Sequence, residues 1–169
     1  MLMQHMVSTI PDSLSFEKAA VLPLTLSTAA TGLLQQDHLG LALPRADPVE
    51  RTETLLVWGG PTCVGSNAIQ LARNAGYRVV ATSSPHNFDC LRSLGTAETV
   101  DRRSRSAIEE IVDRIGDRLL AGALAIGAGA LAPAVKIASR TSGGKRVTSA
   151  QPEGSRACGG RAPDGPAYG

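Results

Sequence analysis

The feature that most constrains this chain is residues 54–72, TLLVWGGPTCVGSNAIQLA, where an apolar run meets a glycine pair and then, at once, a helical pattern. Leu55, Leu56, Val57 and Trp58 are continuously apolar between Glu53 and Gly59-Gly60. Such a run suits a parallel strand buried on both faces better than an alternating surface strand. Val64, Ala68, Leu71, Ala72 and Ala75 then recur at helical spacing. Asn67, Gln70, Arg73 and Asn74 take the other side, and Gly76 sits where a helix stops. The reading is strand, glycine turn, helix. A glycine turn here lets backbone approach a phosphate closely, with free N–H groups and the positive end of the helix dipole facing it. The dinucleotide spacing G-x-G-x-x-G is present in degenerate form, as Gly60 to Gly65 with Thr62 in place of the second glycine. The turn alone fits a pyrophosphate site and an ordinary strand-helix turn equally well.

The same alternation runs along the chain. Pro11 fixes an extended entry, and Ser15 can cap a short helix. A second helix is predicted over 24–36, with Leu26, Ala29, Ala30, Leu33 and Leu34 at helical spacing and so little charge that burial is expected. The hydroxyls of Thr25, Ser27, Thr28 and Thr31 can be satisfied on backbone carbonyls. Residues 40–51 carry Pro44 and Pro48 and read as a loop. Beyond the central unit, 77–83 is a β-branched strand, and Ser84 with Pro85 makes an N-cap and N1 pair for a helix through Leu94.

A third strand is predicted over 97–101, followed by a helix striped with Ile108, Ile111, Val112 and Ile115. A fourth strand over 119–126, a helix over 131–139 with Pro133 in its first turn, and a fifth strand over 145–150 complete the series. Strict alternation predicts an α/β fold, a doubly wound parallel sheet in the order 3-2-1-4-5, with ligands at the carboxyl ends of the first and fourth strands. After Ala150 periodicity is lost, and 151–169 is expected to be a disordered tail.

Composition narrows the function classes. With 43% apolar residues among 169, the chain can bury one sizeable core. A net charge of +2 gives no footing for nucleic acid, and Arg102-Arg103-Ser104-Arg105 reads as a solvated loop. Cys63, Cys90 and Cys158 are odd in number and widely spaced, which indicates neither a disulfide framework nor a zinc site. Cys63 reads as a small residue that fits the turn rather than a reactive thiol. His5, His38 and His86 have no ligand spacing, so no metal is expected. With neither a signal segment nor a spanning apolar run, the expectation is a soluble, cytoplasmic protein without a membrane partner.

Several linked motifs, in order, carry a resemblance: LSFEKAAVLP at 14–23, Ser27-Thr28-Ala29, Val57-Trp58-Gly59-Gly60 through Gly65, and Ser84 to Asp89. Over residues 10–150 the chain resembles the medium-chain dehydrogenase/reductase superfamily, in particular its fungal quinone-oxidoreductase-like and trans-acting enoyl reductase branch, often labelled zinc-binding oxidoreductases. The resemblance implies an incomplete Rossmann-type domain over 51–150. It makes 1–50 a remnant with connecting helices of a GroES-like catalytic domain that would precede Met1, so that the chain would be a truncated form. It places Gly60, Thr62, Cys63, Val64 and Gly65 along the pyrophosphate, Thr28 near the nicotinamide, and Ala125, Ile126 and Gly127 on the nicotinamide side of the fourth strand. The implied activity is hydride transfer to an activated C=C or carbonyl of a small enone, quinone or enoyl substrate. A homodimer is implied for full-length relatives. No catalytic residue is identified.

An NAD site places an acid about 20 residues past the glycine turn, to hold the ribose 2′-hydroxyl. Ser83, Ser84, His86 and Asn87 stand there instead, with no acid before Asp89. Hydroxyls, an imidazole and a helix start suit the 2′-phosphate of NADP(H), the expected cofactor. The alternative for Ser84 and Asn87 is that they only cap the helix. A competing reading of the whole chain is a non-catalytic nucleotide-binding fragment or interaction module.

Overall fold

The computed structural model describes residues 8–150, so the tail expected over 151–169 lies outside the described residues. Two helices, α1 (Phe16–Ala20) and α2 (Leu22–Leu34), lead through a loop to β1 (Thr54–Trp58) and α3 (Cys63–Asn74). Next come β2 (Arg78–Ser83), a 3-10 turn at Pro85–Asn87, α4 (Phe88–Leu94), β3 (Glu98–Asp101) and α5 (Ala107–Ile115). The series closes with β4 (Leu120–Ala125), α6 (Leu131–Arg140) and β5 (Val147–Ser149). All strand pairs are parallel and the order is β3-β2-β1-β4-β5, as the alternation predicts.

The unbroken apolar run of β1 follows from its place in the middle of the sheet, with a helical layer on each face. Leu55 and Val57 join Leu33, Ile69, Ala72, Val79 and Leu91 in one core, under α2, α3 and α4. Leu56 points to the other face and joins Val80, Ile111, Ile115 and Ile137 under α5 and α6. Small residues bring the helices close: a Cβ on Gly32 of α2 would stand 3.1 Å from Leu124 Cδ1 and 3.4 Å from Thr148 Cγ2.

Three local expectations need correction. The helix expected to run on from Ser84 is split, because Pro85–Asn87 forms a 3-10 turn before α4 begins. Ser84 has the extended backbone of an N-cap, but its side chain makes no capping bond, and neither does that of Ser15. The low-charge helix α2 starts earlier than expected and is buried on one side only, through Ala29, Gly32 and Leu33. Its other side and α1 leave Phe16 81%, Leu24 77% and Val21 65% exposed. Apolar periodicity reports that a face favours burial; among the described residues no element covers this one.

The loop from β3 to α5 is bound at its base. The carboxylate of Glu110 accepts from the hydroxyls of Ser104 at 3.0 Å and Ser106 at 2.5 Å, and Ser104 N–H donates to Asp101 O. The Ser106 hydroxyl, then that of Ser104, holds the Glu110 carboxyl below its ordinary value of 4.5. A depressed carboxyl pKa contributes stability that is fully present above the ordinary value and is lost as pH falls through the lowered one. Glu110→Gln is therefore expected to lower the melting temperature at neutral pH, with the gap closing in acid below the ordinary carboxyl range. Thermal melts of both chains across that range check it, and a gap unchanged in acid would sink the assignment.

Candidate functional site

The parallel order reverses direction between β1 and β4, which opens a crevice at their carboxyl ends. At the end of β1, Gly59 turns the chain at φ +97, with room for no side chain, since a Cβ would lie 2.8 Å from Ile126 O. Gly59 N–H donates to Thr82 Oγ1 and Gly60 N–H to Thr82 O, which ties the turn to β2. Gly65 lies in the first turn of α3, where a Cβ would stand 2.4 Å from Gly59 O and 2.7 Å from Gly60 O. The helix start is thus pressed onto the turn itself.

Thr62 occupies the place of the missing glycine and is the helix N-cap. Its hydroxyl donates to Gly59 O at 2.8 Å and accepts from Gly65 N–H at 3.0 Å. The departure from the glycine spacing therefore exchanges backbone freedom for a side-chain cap, which takes up one first-turn donor. The amides of Cys63 and Val64 donate to no acceptor among the described residues, and Cys63 is exposed. Two N–H groups remain available to an anion.

Helix α2 flanks this turn. Asn67 Nδ2 donates both to Cys63 O, in the first turn of α3, and to Thr25 Oγ1 on α2. One turn further along α2, Thr28 lines a groove of about 260 Å³ together with Thr31, Leu124, Ser149 and Ala150. The Thr28 hydroxyl is spent on Leu24 O at 2.8 Å, and those of Thr25 and Ser27 are likewise bonded to helix carbonyls, as the sequence suggests; among the described residues no such bond forms for Thr31. Ala125 is buried, and Ile126 N–H donates to Trp58 O. Gly127, at φ +98, has nothing within 4 Å of its Cβ direction and so faces open space.

At the end of β2, Ser83 is buried and its hydroxyl donates to Ser84 O at 2.8 Å. Ser84 and Asn87 make no side-chain cap bond, so capping is not what these side chains do, and His86 is exposed. Among the described residues no group of three or more His, Cys, Asp or Glu could hold a metal ion, and no helix is long and apolar enough to cross a membrane. Two contributors escape a reading of the sequence. Gly59, hidden in a glycine pair, carries the positive φ. Periodicity assigns Asn67 to the outer side of its helix, but that side is where α2 docks.

A strand-turn-helix of this geometry at the switch point of a parallel sheet defines a Rossmann-type nucleotide-binding unit. No protein-family model matches the chain. Individual relatives do. It is 47% identical to the dehydrogenase pigH of Monascus ruber over 147 residues, 86% of this chain and 40% of that protein. It is 46% identical to the trans-enoyl reductase himH of Aspergillus japonicus over 106 residues, 63% of this chain and 30% of the relative. Among solved structures, an NAD-dependent alcohol dehydrogenase aligns at TM-score 0.67 and 29% identity, covering 84% of this chain and 38% of that one. A quinone oxidoreductase from Thermus thermophilus, solved also with NADPH, aligns at 0.58 and 26%, covering 76% and 38%. The chain belongs to the medium-chain dehydrogenase/reductase superfamily, among the fungal dehydrogenases and trans-enoyl reductases of its zinc-type alcohol dehydrogenase-like family. It spans well under half the length of these relatives.

The double role of Thr62 gives a stability prediction. Thr62→Ala removes the cap and is expected to cost about 1 kcal/mol. Thr62→Ser, which keeps the hydroxyl, should stay close to the parent. Urea unfolding of the three chains tests this, and an unchanged midpoint for Thr62→Ala would contradict the capping role.

Proposed function

We propose that this chain is the nucleotide-binding part of an NADPH-dependent oxidoreductase that delivers hydride to an activated C=C or carbonyl of a small enone, quinone or enoyl substrate. The observation that carries the reading is the glycine turn pressed under the first turn of α3, with two unpartnered amides at the crevice. The residues fit a pyrophosphate. Gly59 and Gly60 present bare backbone, Cys63 and Val64 offer N–H donors, and the helix start adds about half a positive charge. Thr62 and Gly65 hold that arrangement in place. Names of relatives point the same way, since they are dehydrogenases, trans-enoyl reductases and a quinone oxidoreductase studied with NADPH.

When bound, the nicotinamide supplies the hydride. The chain's own task is to orient that ring. In this reading Thr28 lies beside it, with Ala125, Ile126 and Gly127 along the end of β4. Ser84, His86 and Asn87 border the adenosine ribose, with Ser83 beneath them. Among these residues none is assigned as a proton donor. The α2 groove is open and the apolar faces of α1 and α2 are exposed, which favours an arrangement in which further structure forms the substrate wall. Positioning in a closed cleft can contribute about 7–11 kcal/mol to lowering a barrier. The cytoplasm is the compartment proposed.

Trp58, the chain's one tryptophan, ends β1 beside the glycine turn and serves as a probe. NADPH is expected to quench its fluorescence saturably and more tightly than NADH. NADPH oxidation with enones or quinones should be slow for the chain alone and much faster once it is joined to a GroES-like barrel. Failure to bind either nucleotide would overturn the reading, and equal rates with and without the barrel would show that the substrate wall is already present. The second reading, a nucleotide-binding module without turnover, is favoured by the same open groove and predicts binding with no turnover whether or not the barrel is joined.

A further inference from the structure

Resting on the nucleotide reading above, we infer that Arg102, with Arg103 beside it, supplies the counter-charge that selects a 2′-phosphorylated nucleotide over its unphosphorylated form. Sequence alone makes these arginines a solvated loop, and they do lie exposed in the turn after β3; what the fold adds is that this turn stands beside the end of β2. Strands β2 and β3 run parallel with Ser83 opposite Asp101, so the chain after Asp101 leaves the sheet beside the point where β2 ends. Arg102 N–H donates to Ser83 O at 3.0 Å, which fixes its backbone against the residue that opens the ribose side of the crevice.

The loop is held further along as well. Arg103 N–H donates to Asp101 Oδ1 at 3.0 Å, and the serines that follow are gathered by Glu110. The backbone is therefore ordered while the guanidiniums stay free. Four other arginines of the described residues are held in ion pairs, Arg78 and Arg114 with Glu98, Arg92 with Asp89 and Arg140 with Glu109. Arg51, Arg118 and Arg146 donate to carbonyls, while Arg45, Arg73 and Arg105 are in no ion pair either. Arg102 and Arg103 are exposed and make no ion pair among the described residues. The neighbouring acids are already engaged, Asp101 by a loop amide, Glu110 by two hydroxyls and Asp89 by Arg92.

Ser84, His86 and Asn87 can donate hydrogen bonds to a phosphate, but a dianion also calls for full positive charge close by. A guanidinium meets it with paired, charge-assisted donors. A nucleotide lacking the 2′-phosphate presents only a hydroxyl there and gains nothing from the arginine. Arg102 is thereby a specificity-determining residue and not one that binds the part common to both nucleotides.

The test is titration of NADPH and of NADH into the full chain and into Arg102→Ala, Arg102→Lys and Arg118→Ala, read by Trp58 quenching and by calorimetry. Arg118 lies past the end of α5 at the amino end of the sheet and donates to Thr52 O, so its removal changes net charge by the same amount far from the ribose. Arg102→Ala is expected to weaken NADPH by about tenfold or more, while NADH stays within about twofold. Arg102→Lys should recover part of the loss, and Arg118→Ala should change neither. Unchanged melting temperatures would show that the fold is intact. Equal weakening of both nucleotides, or NADPH affinity untouched, would overturn the assignment while leaving nucleotide binding in place. A parent chain that prefers NADH would do the same. A parent that binds neither nucleotide would overturn the proposed function itself and this inference with it.

Discussion

The close approach of α3 to the turn after β1 is the constraint from which the rest of the structure follows. A helix start carries N–H groups without partners, and a strand end carries carbonyls. Here they meet with no side chain between them, because a Cβ on Gly65 would overlap both Gly59 O and Gly60 O. Seating the helix so low lets Ala68 and Ala72 pack on the sheet with Ile69, and it closes one core around Leu55 and Val57. It also aims the helix axis at the crevice between β1 and β4. Packing and the anion-binding geometry are thus one requirement.

Helix α2 transmits that requirement outward. It is seated on β4 and β5 through Gly32 and on α3 through Asn67, which holds a carbonyl of the first turn of α3 and a hydroxyl of α2 together. The helix that carries Thr28 is therefore tied to the start of α3 through Thr25 and Asn67. The same helix leaves Leu24 exposed, as Phe16 and Val21 are ahead of it, so one element contributes both a wall of the crevice and uncovered apolar surface. Apolar exposure, where it is contiguous, marks a contact surface more often than an ordinary solvated face.

Much of this is legible in the residues alone, for identifiable reasons. The β1 to α3 unit joins two different periodicities across a glycine pair, and few structures accommodate that. Strand order follows because alternating strands and helices with right-handed crossovers leave little choice. What escapes is tertiary in origin. A glycine pair does not say which member carries the positive φ, and it is Gly59. A threonine in a glycine position looks like a defect until its hydroxyl is seen bridging Gly59 O and Gly65 N–H. Ser84 has a good capping sequence, yet Pro85–Asn87 tightens into a 3-10 turn that leaves the side chain unbonded. Composition makes the charge run at 102–105 a solvated loop, as it is, but does not say that this loop stands beside the end of β2.

These features sort into a division of labour along the carboxyl edge of the sheet. Backbone amides at the start of α3 offer partial charge, about half a unit, spread over a helix end and screened where it is exposed. Such a field suits a group shared by many nucleotides, because it recognises phosphate without reading what is attached to it. Discrimination between two nucleotides that differ by one phosphate calls for a full charge placed at the point of difference. No helix of adequate length begins at the end of β2, since the chain passes first through a short 3-10 turn. The neighbouring strand can supply the charge because β3 ends level with β2 and its next residue is bonded to Ser83. In the proposed reading, the glycine turn holds the nucleotide and the edge formed by β2 and β3 decides which nucleotide it is.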